Sequence, residues 1–85
     1  MEIVFLIAAQ EHLDFWKKTG NKKVLKKISE LLKSITETPY EGIGKPEALK
    51  YELNGKWSRR IDRKNRIVYI VQENIIYVYS IKGHY

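Results

Sequence analysis

The 85 residues suffice for one small domain, predicted over residues 1–85, and a hydrophobic content of 44% argues against disorder. The sequence has no cysteine, which excludes disulfides, thiol catalysis and cysteine–zinc sites, and two histidines are too few for a metal cluster. A net charge of +6 is concentrated in residues 17–33 and 45–66, which indicates either a polyanionic partner, such as nucleic acid or the ribosome, or a solubilising surface.

The longest apolar run covers residues 3–9 and is too short to span a bilayer. A glutamate precedes this run, whereas a signal peptide begins with basic residues. We therefore expect no membrane association and a cytoplasmic protein. The β-branched and aromatic composition of Ile3 to Ile7 predicts a buried strand.

Two amphipathic helices are predicted after this strand. In the first, Ala9, Leu13 and Trp16 recur at helical spacing, and Gly20 ends it. Asn21 can cap the second helix, which ends before Pro39. The apolar stripe of the second helix consists of Val24, Ile28, Leu31 and Ile35. Its other face carries Lys22, Lys23, Lys26 and Lys27, which are candidates for ribosome binding.

A loop over residues 39–48, with two prolines and two glycines, precedes four strand-like segments. These predicted strands cover residues 49–53, 57–61, 67–71 and 75–81. Asn54-Gly55 is typical of a two-residue hairpin, and the apolar segment 67–71 predicts a central strand covered on both faces. The order β-α-α-β-β-β-β predicts an α+β fold, an antiparallel sheet with two helices packed on one face.

The polar residues Glu47, Arg66 and His84 are not explained by this pattern. A carboxylate, an arginine and an imidazole can together cleave RNA through its own 2′-hydroxyl. One group removes the 2′ proton, the cation stabilises the phosphorane, and an acid protonates the departing 5′ oxygen, without a metal or another cofactor. Each residue, taken singly, also has a non-catalytic explanation. Glu47 could be a solvated loop residue, Arg66 an exposed ion-pair partner of Asp62 or Glu52, and His84 part of a frayed terminus.

An aromatic residue stands beside two arginines in Trp57-Ser58-Arg59-Arg60. This pattern suits base stacking and phosphate binding, and it makes Arg59 and Arg60 candidate substrate-binding residues. An edge strand with Trp57 in the core and both charges outward explains it equally well. His12, on the first helix, is predicted to lie at the surface without a role.

Several segments together resemble the YoeB/Txe toxins, which belong to the RelE-like superfamily. The resemblance is carried by residues 38–50 (TPYEGIGKPEALK), 53–61 (LNGKWSRRI) and 66–69 (RIVY) and by the closing His84-Tyr85, and it extends over essentially the whole chain. It implies a RelE-like, microbial-ribonuclease-like fold. It also implies the toxin of a bacterial type II toxin–antitoxin module, a ribosome-dependent endoribonuclease or mRNA interferase that cleaves messenger RNA in the ribosomal A site and inhibits translation.

Position by position, the resemblance makes Glu47 the general base, Arg66 the phosphate-stabilising residue and His84 the general acid. Supporting positions around the scissile phosphate are matched by Lys50, Arg60 and Tyr85. The implied partners are a cognate antitoxin of the YefM or Phd type, the ribosome and messenger RNA. Operator DNA is expected only through the antitoxin complex, and a homodimer is left open.

Two other functions remain open. The chain could be a RelE-like binding module that acts mainly in an antitoxin complex to autoregulate its operon, without strong RNase activity. It could also be a basic ribosome-associated protein without catalysis. The presence of Glu47, Arg66 and His84 together favours the enzyme.

Overall fold

The computed structural model describes residues 1–83, and the predicted sites at His84 and Tyr85 lie outside this range. Five strands and two α-helices follow one another in the predicted order. Their bounds are β1 Glu2–Phe5, α1 Ile7–Thr19, α2 Lys22–Glu37, β2 Glu47–Ala48, β3 Trp57–Arg60, β4 Arg66–Gln72 and β5 Ile75–Ser80. No helix within residues 1–83 is long and apolar enough to cross a membrane.

The five strands form one sheet in the order β1-β5-β4-β3-β2, which confirms the α+β class. Strands β2 to β5 make the predicted antiparallel meander. Strand β1, however, pairs with β5 in parallel, from Glu2 opposite Ile75 to Phe5 opposite Val78, so the sheet is mixed rather than antiparallel throughout. The two helices carry the chain from β1 to the far edge of the sheet, and four alternating strands then return it alongside β1.

Helix α2 has the predicted bounds and cap. The Asn21 side chain accepts a hydrogen bond from the Val24 backbone N–H at 3.1 Å, which satisfies one of the unpaired amides of the first turn. The apolar stripe of α2 packs with α1 on one face of the sheet. The buried residues of this core include Trp16, Ile28, Leu31, Ile35, Ile67, Tyr69, Ile76 and Val78.

The predicted strand over residues 49–53 is wrong. Strand β2 ends at Ala48, and Tyr51–Leu53 form a short 3₁₀ helix. Tyr51 has φ +59° and a side chain that is 91% exposed, so the alternation of large residues here does not reflect a buried sheet face. The Lys56 N–H donates to the Leu53 carbonyl across Asn54-Gly55, a type II turn that closes a longer connection to β3.

The hairpin between β4 and β5 has the tight turn that the sequence indicates. Glu73 and Asn74 both have positive φ, at 50° and 66°, as a type I′ turn requires. After four residue pairs in register, from Gln72–Ile75 to Tyr69–Val78, the register shifts. Val68 then lies opposite Ser80, which leaves Tyr79 without a direct partner in β4. This bulge bends the last residues of β5, which lie beside the start of β4 at Arg66.

Candidate active site

Glu47 and Arg66 form an ion pair on the sheet face opposite the helices. Arg66 Nη1 donates to Glu47 Oε1 at 3.0 Å and also lies 3.3 Å from Ser58 Oγ. The arginine side chain is 17% exposed, whereas that of the glutamate is 61% exposed. The guanidinium is therefore held firmly, and the carboxylate remains open to a ligand.

Backbone register explains why these residues meet although they are distant in sequence. Glu47 in β2 lies opposite Ser58 in β3, and Arg66 at the start of β4 lies opposite Arg60. Residues that are directly opposite in an antiparallel pair point to the same face. Four polar side chains thus share one end of the open face, and Ser58, which the sequence pattern did not single out, lies between the two charges.

The chain returns to this end of the sheet after β5. The Arg66 N–H donates to the Gly83 carbonyl at 2.9 Å, and the Gly83 N–H donates to Asn65 Oδ1 at 2.9 Å. Asn65 is itself fixed by Asp62, whose Oδ1 accepts from the Asn65 N–H at 2.8 Å. Two hydrogen bonds therefore hold Gly83, the last described residue, beside the arginine of the ion pair.

The assignment of Arg59 to substrate binding is wrong, because its side chain is fully buried on the helix side of the sheet. The guanidinium makes five hydrogen bonds, as many as it has N–H groups. Two go to the hydroxyl oxygens of Ser34 and Tyr69, at 2.6 and 3.3 Å. The other three go to loop carbonyls: Thr38 at 2.5 Å, Glu41 at 2.7 Å and Ile43 at 3.1 Å.

Arg59 consequently holds the loop that leads into Glu47. It draws three carbonyls of the segment 38–43 around one cation, and the positive charge is favourable at the carbonyl end of α2. Tyr69, also buried, donates from its hydroxyl to the Pro39 carbonyl at 2.6 Å. Burial raises the pKa of Tyr69 against the opposing effect of the Arg59 cation, so the phenol stays a hydrogen-bond donor.

The glycines of this loop permit its close approach to the core. Gly44 has φ +82°, and a Cβ atom there would lie 2.6 Å from Leu31 Cδ2. Its carbonyl accepts from the Arg60 N–H at 2.7 Å, which ties the loop to β3 just before Glu47. The rigid Gly-Lys-Pro segment thereby fixes the start of β2.

The remaining predicted residues divide into two groups. Arg60 is exposed and lies next to Arg66, and Lys50 lines the same shallow groove as Glu47. The lysines of α2 belong to a separate surface, because α2 covers the opposite face of the sheet. On that surface, Lys22, Lys23 and Lys26 are exposed and Lys27 is half-buried.

Within residues 1–83, no group of three or more His, Asp or Glu side chains is placed to hold a metal ion. The chemistry available at the described site is that of a carboxylate, a guanidinium and a hydroxyl. A carboxylate can accept a proton, and a fixed guanidinium can stabilise charge that develops on a phosphate.

Comparison with known proteins gives a consistent set of similarities. A family model described as "YoeB-like toxin of bacterial type II toxin-antitoxin system" matches residues 5–85. Toxin YoeB of Escherichia coli K12 is 43% identical over 83 residues, which cover 94% of this chain and 98% of that protein.

Two structures from Staphylococcus aureus are also similar. One is a heterotetrameric complex of the YoeB toxin with the YefM antitoxin, with a TM-score of 0.90 and 46% identity. The other is a YoeB dimer, with a TM-score of 0.91 and 46% identity. Each match covers 100% of this chain and 98% of the compared chain.

Proposed function

Because the chain belongs to the YoeB-like toxins of bacterial type II toxin–antitoxin systems, we propose that it is a ribosome-dependent endoribonuclease. It cleaves messenger RNA in the ribosomal A site and so inhibits translation. The observation that carries this proposal is the Glu47–Arg66 pair, which joins an exposed carboxylate to a fixed guanidinium on the sheet face opposite the helices.

The reaction is a transesterification within the RNA. Glu47 accepts the proton of the 2′-hydroxyl, whose oxygen attacks the adjacent phosphorus. Arg66, held by Ser58, stabilises the charge of the phosphorane. His84 protonates the departing 5′ oxygen, and the products are a 2′,3′-cyclic phosphate and a 5′-hydroxyl. The nucleophile belongs to the substrate, and no metal is required.

His84 lies outside the described residues, so its role rests on the resemblance and on the residue before it. Gly83 is hydrogen-bonded to Arg66, and the covalent chain continues from there into His84 and Tyr85. Lys50, Arg60 and Tyr85 are proposed to contact the RNA around the scissile phosphate. The lysines of α2 supply phosphate contacts to the ribosome.

The proposed partners are the ribosome with its messenger RNA and an antitoxin of the YefM type. The S. aureus complex supports the antitoxin, and the S. aureus dimer supports self-association of the free toxin. Binding of operator DNA is proposed to occur through the antitoxin complex. A cytoplasmic location follows from these partners.

Mapping new 5′ ends of messenger RNA after induced expression in bacteria tests the proposal. We expect cuts only within translated regions, and we expect Glu47→Gln to abolish them. Glu52→Gln is the matched control, because Glu52 is an exposed acid in the neighbouring 3₁₀ turn outside the site. Growth arrest without cleavage would contradict the enzyme and favour a non-catalytic binding protein. Equal cleavage by Glu47→Gln would contradict the assignment of Glu47 as the general base.

A further inference from the structure

The end of β5 is held by two side chains of α1. The Ile81 N–H donates to His12 Nδ1 at 3.1 Å, and Trp16 Nε1 donates to the Ile81 carbonyl at 3.0 Å. His12 and Trp16 are one helical turn apart, and they use both backbone hydrogen-bonding groups of the buried Ile81. His12 is therefore half-buried and engaged, not the free surface residue that its place in the sequence suggests.

Further hydrogen bonds continue along the chain from Ile81 to the candidate active site. Ser80 Oγ donates to the Lys82 carbonyl at 3.0 Å and lies 3.5 Å from His12 Nδ1. The next residue, Gly83, is bonded to Asn65 and Arg66. The segment 80–83 is thus held at Ile81 by two side chains of α1 and at Gly83 by Asn65 and by the arginine of the ion pair.

A ring nitrogen accepts a hydrogen bond only when it carries no proton. The Ile81 contact therefore requires the neutral tautomer of His12 with its proton on Nε2. Among the described residues, Lys82 and Glu11 are the charged groups that act on the ring. Burial, and then Lys82, lower the pKa of His12, while Glu11 opposes them, so the neutral acceptor is the form that the fold favours.

We propose that His12 is a positioning residue for cleavage, which in its neutral form holds the end of β5 and thereby keeps Gly83 beside the Glu47–Arg66 pair. This inference rests on the proposed function. Protonation of His12 replaces the acceptor with a donor that faces the Ile81 N–H. Mild acid then releases segment 80–83 and lowers cleavage through a group that does not touch the RNA.

Two substitutions at His12 separate the loss of the accepted hydrogen bond from the loss of side-chain volume. His12→Asn places an amide oxygen at the position of Nδ1 and accepts at every pH, whereas His12→Ala leaves the Ile81 N–H without its partner. At pH 7.5 we expect His12→Ala to lower the single-turnover cleavage rate on ribosomes about 10- to 100-fold, because small misplacements of reacting groups are that costly. His12→Asn should cleave at close to the wild-type rate.

The pH profile distinguishes positioning from a general structural role. We expect the rate ratio of wild type to His12→Asn to stay level above neutral pH and to fall below it, because only the wild type loses its acceptor. Effects of acid on the ribosome and on His84 are common to both proteins and cancel in this ratio. Lys82→Gln should move the fall to higher pH and Glu11→Gln to lower pH, following their opposite effects on the His12 pKa.

Hydrogen exchange of the Ile81 amide reports the hold without any cleavage. In the protein alone, its protection should fall as His12 takes up a proton in the wild type and should not change with pH in His12→Asn. Wild-type cleavage by His12→Ala at every pH would overturn the proposal, and so would equal damage by His12→Asn and His12→Ala. If the wild type does not cleave RNA, the proposed function fails. The pH dependence of Ile81 exchange then still tests whether neutral His12 holds the end of β5. Identical profiles in the wild type and in His12→Asn would show that it does not.

Discussion

Glu47 and Arg66 differ in how firmly the protein holds them. Ser58 and the Gly83 carbonyl fix Arg66 at its side chain and at its backbone. Within residues 1–83, Glu47 is fixed through one carboxylate oxygen. A guanidinium that is oriented before the substrate binds does not have to reorganise when the phosphorane forms. The exposed carboxylate can move towards a 2′-hydroxyl without breaking the fold.

The acid assigned to His84 can be tested by the leaving group. His84→Ala should lower the cleavage rate on ribosomes roughly 10²- to 10⁴-fold, because protonation of the 5′ oxygen is lost. A 5′-thio leaving group hardly needs a proton, so it should restore cleavage by His84→Ala and not by Glu47→Ala. Ribosome affinity should change little, and a wild-type rate for His84→Ala would show that the acid is another group.

Tyr69 makes the fold sensitive to alkali. Its pKa is raised above the ordinary value of about 10, mainly by burial, so the neutral phenol stabilises the fold below that pH. This contribution is lost as pH rises through the raised pKa, since the unfolded chain ionises first. Urea titrations should show the wild type losing stability more steeply above pH 10 than Tyr69→Phe. The exposed Tyr51→Phe is the matched control and should follow the wild type.

At the residue scale, the structure brings together Glu47 and Arg66, which the sequence singled out, but the sequence did not indicate how Arg59 and His12 are used. Alternation along β3 puts Arg59 and Arg60 on opposite faces, but it does not tell which face a loop will cover. The carbonyls that surround Arg59 come from residues that are distant in sequence, and no local pattern contains them. The same applies to His12, whose partner is Ile81.

Among the elements, the loop between α2 and β2 depends on one cation. Arg59→Met keeps an unbranched apolar chain as far as the position of Nε and removes five hydrogen bonds. We expect it to lower the free energy of unfolding by about 2–4 kcal/mol. Cleavage should fall as well, because Glu47 is placed by this loop. Arg60→Met, at the exposed neighbouring position, should change stability by less than about 0.5 kcal/mol. Equal unfolding midpoints in urea would show that the loop is held by other residues.

Helix α2 presents its lysines away from the apolar stripe that anchors it. Replacing Lys22, Lys23, Lys26 and Lys27 together with glutamine should leave the fold intact and weaken ribosome binding. The slope of log affinity against log salt should become shallower by roughly one for each phosphate that a lysine no longer neutralises. A double replacement of Lys17 and Lys18, at the end of α1, tests whether total charge alone explains the change. An unchanged slope in the quadruple variant would place the ribosome-binding surface elsewhere.

Element prediction was accurate where periodicity coincides with burial and failed at residues 49–53, where it does not. The four-residue stripe of α2 repeats over about three turns and was predicted correctly. The alternation of Leu49, Tyr51 and Leu53 covers too few residues to separate a strand from a turn. Tyr51 adopts a left-handed backbone, which a strand does not contain.

As a whole molecule, the toxin is expected to harm the cell that makes it unless a partner covers its basic surface. Induced expression of this chain alone should arrest growth, and co-expression with an antitoxin of the YefM type should restore it. A disordered acidic or amphipathic segment that folds on binding suits such a surface. Normal growth with stable wild-type protein and no antitoxin would contradict this expectation, and Glu47→Gln serves as the non-cleaving control.

The fold class was predictable because four strands and two helices are bounded by clear turn and capping residues. The position of β1 in the sheet was not predictable, because its composition indicates a buried strand and does not indicate which strand it pairs with. Parallel pairing with β5 follows from the path of the chain over two helices, a property of the complete topology.

That pairing has a consequence for the newly made protein. Glu2 pairs with Ile75, so β1 finds its neighbour in the described sheet only after the intervening helices and strands and β5 itself have been synthesised. Chains are made from the amino terminus, and pairings between such distant residues form slowly. The hydrogen bonds that fasten Gly83 beside Arg66 come later still. We expect a chain that lacks β5 to lack the assembled site, so under the proposed function it does not cleave the messenger RNA from which it is being made.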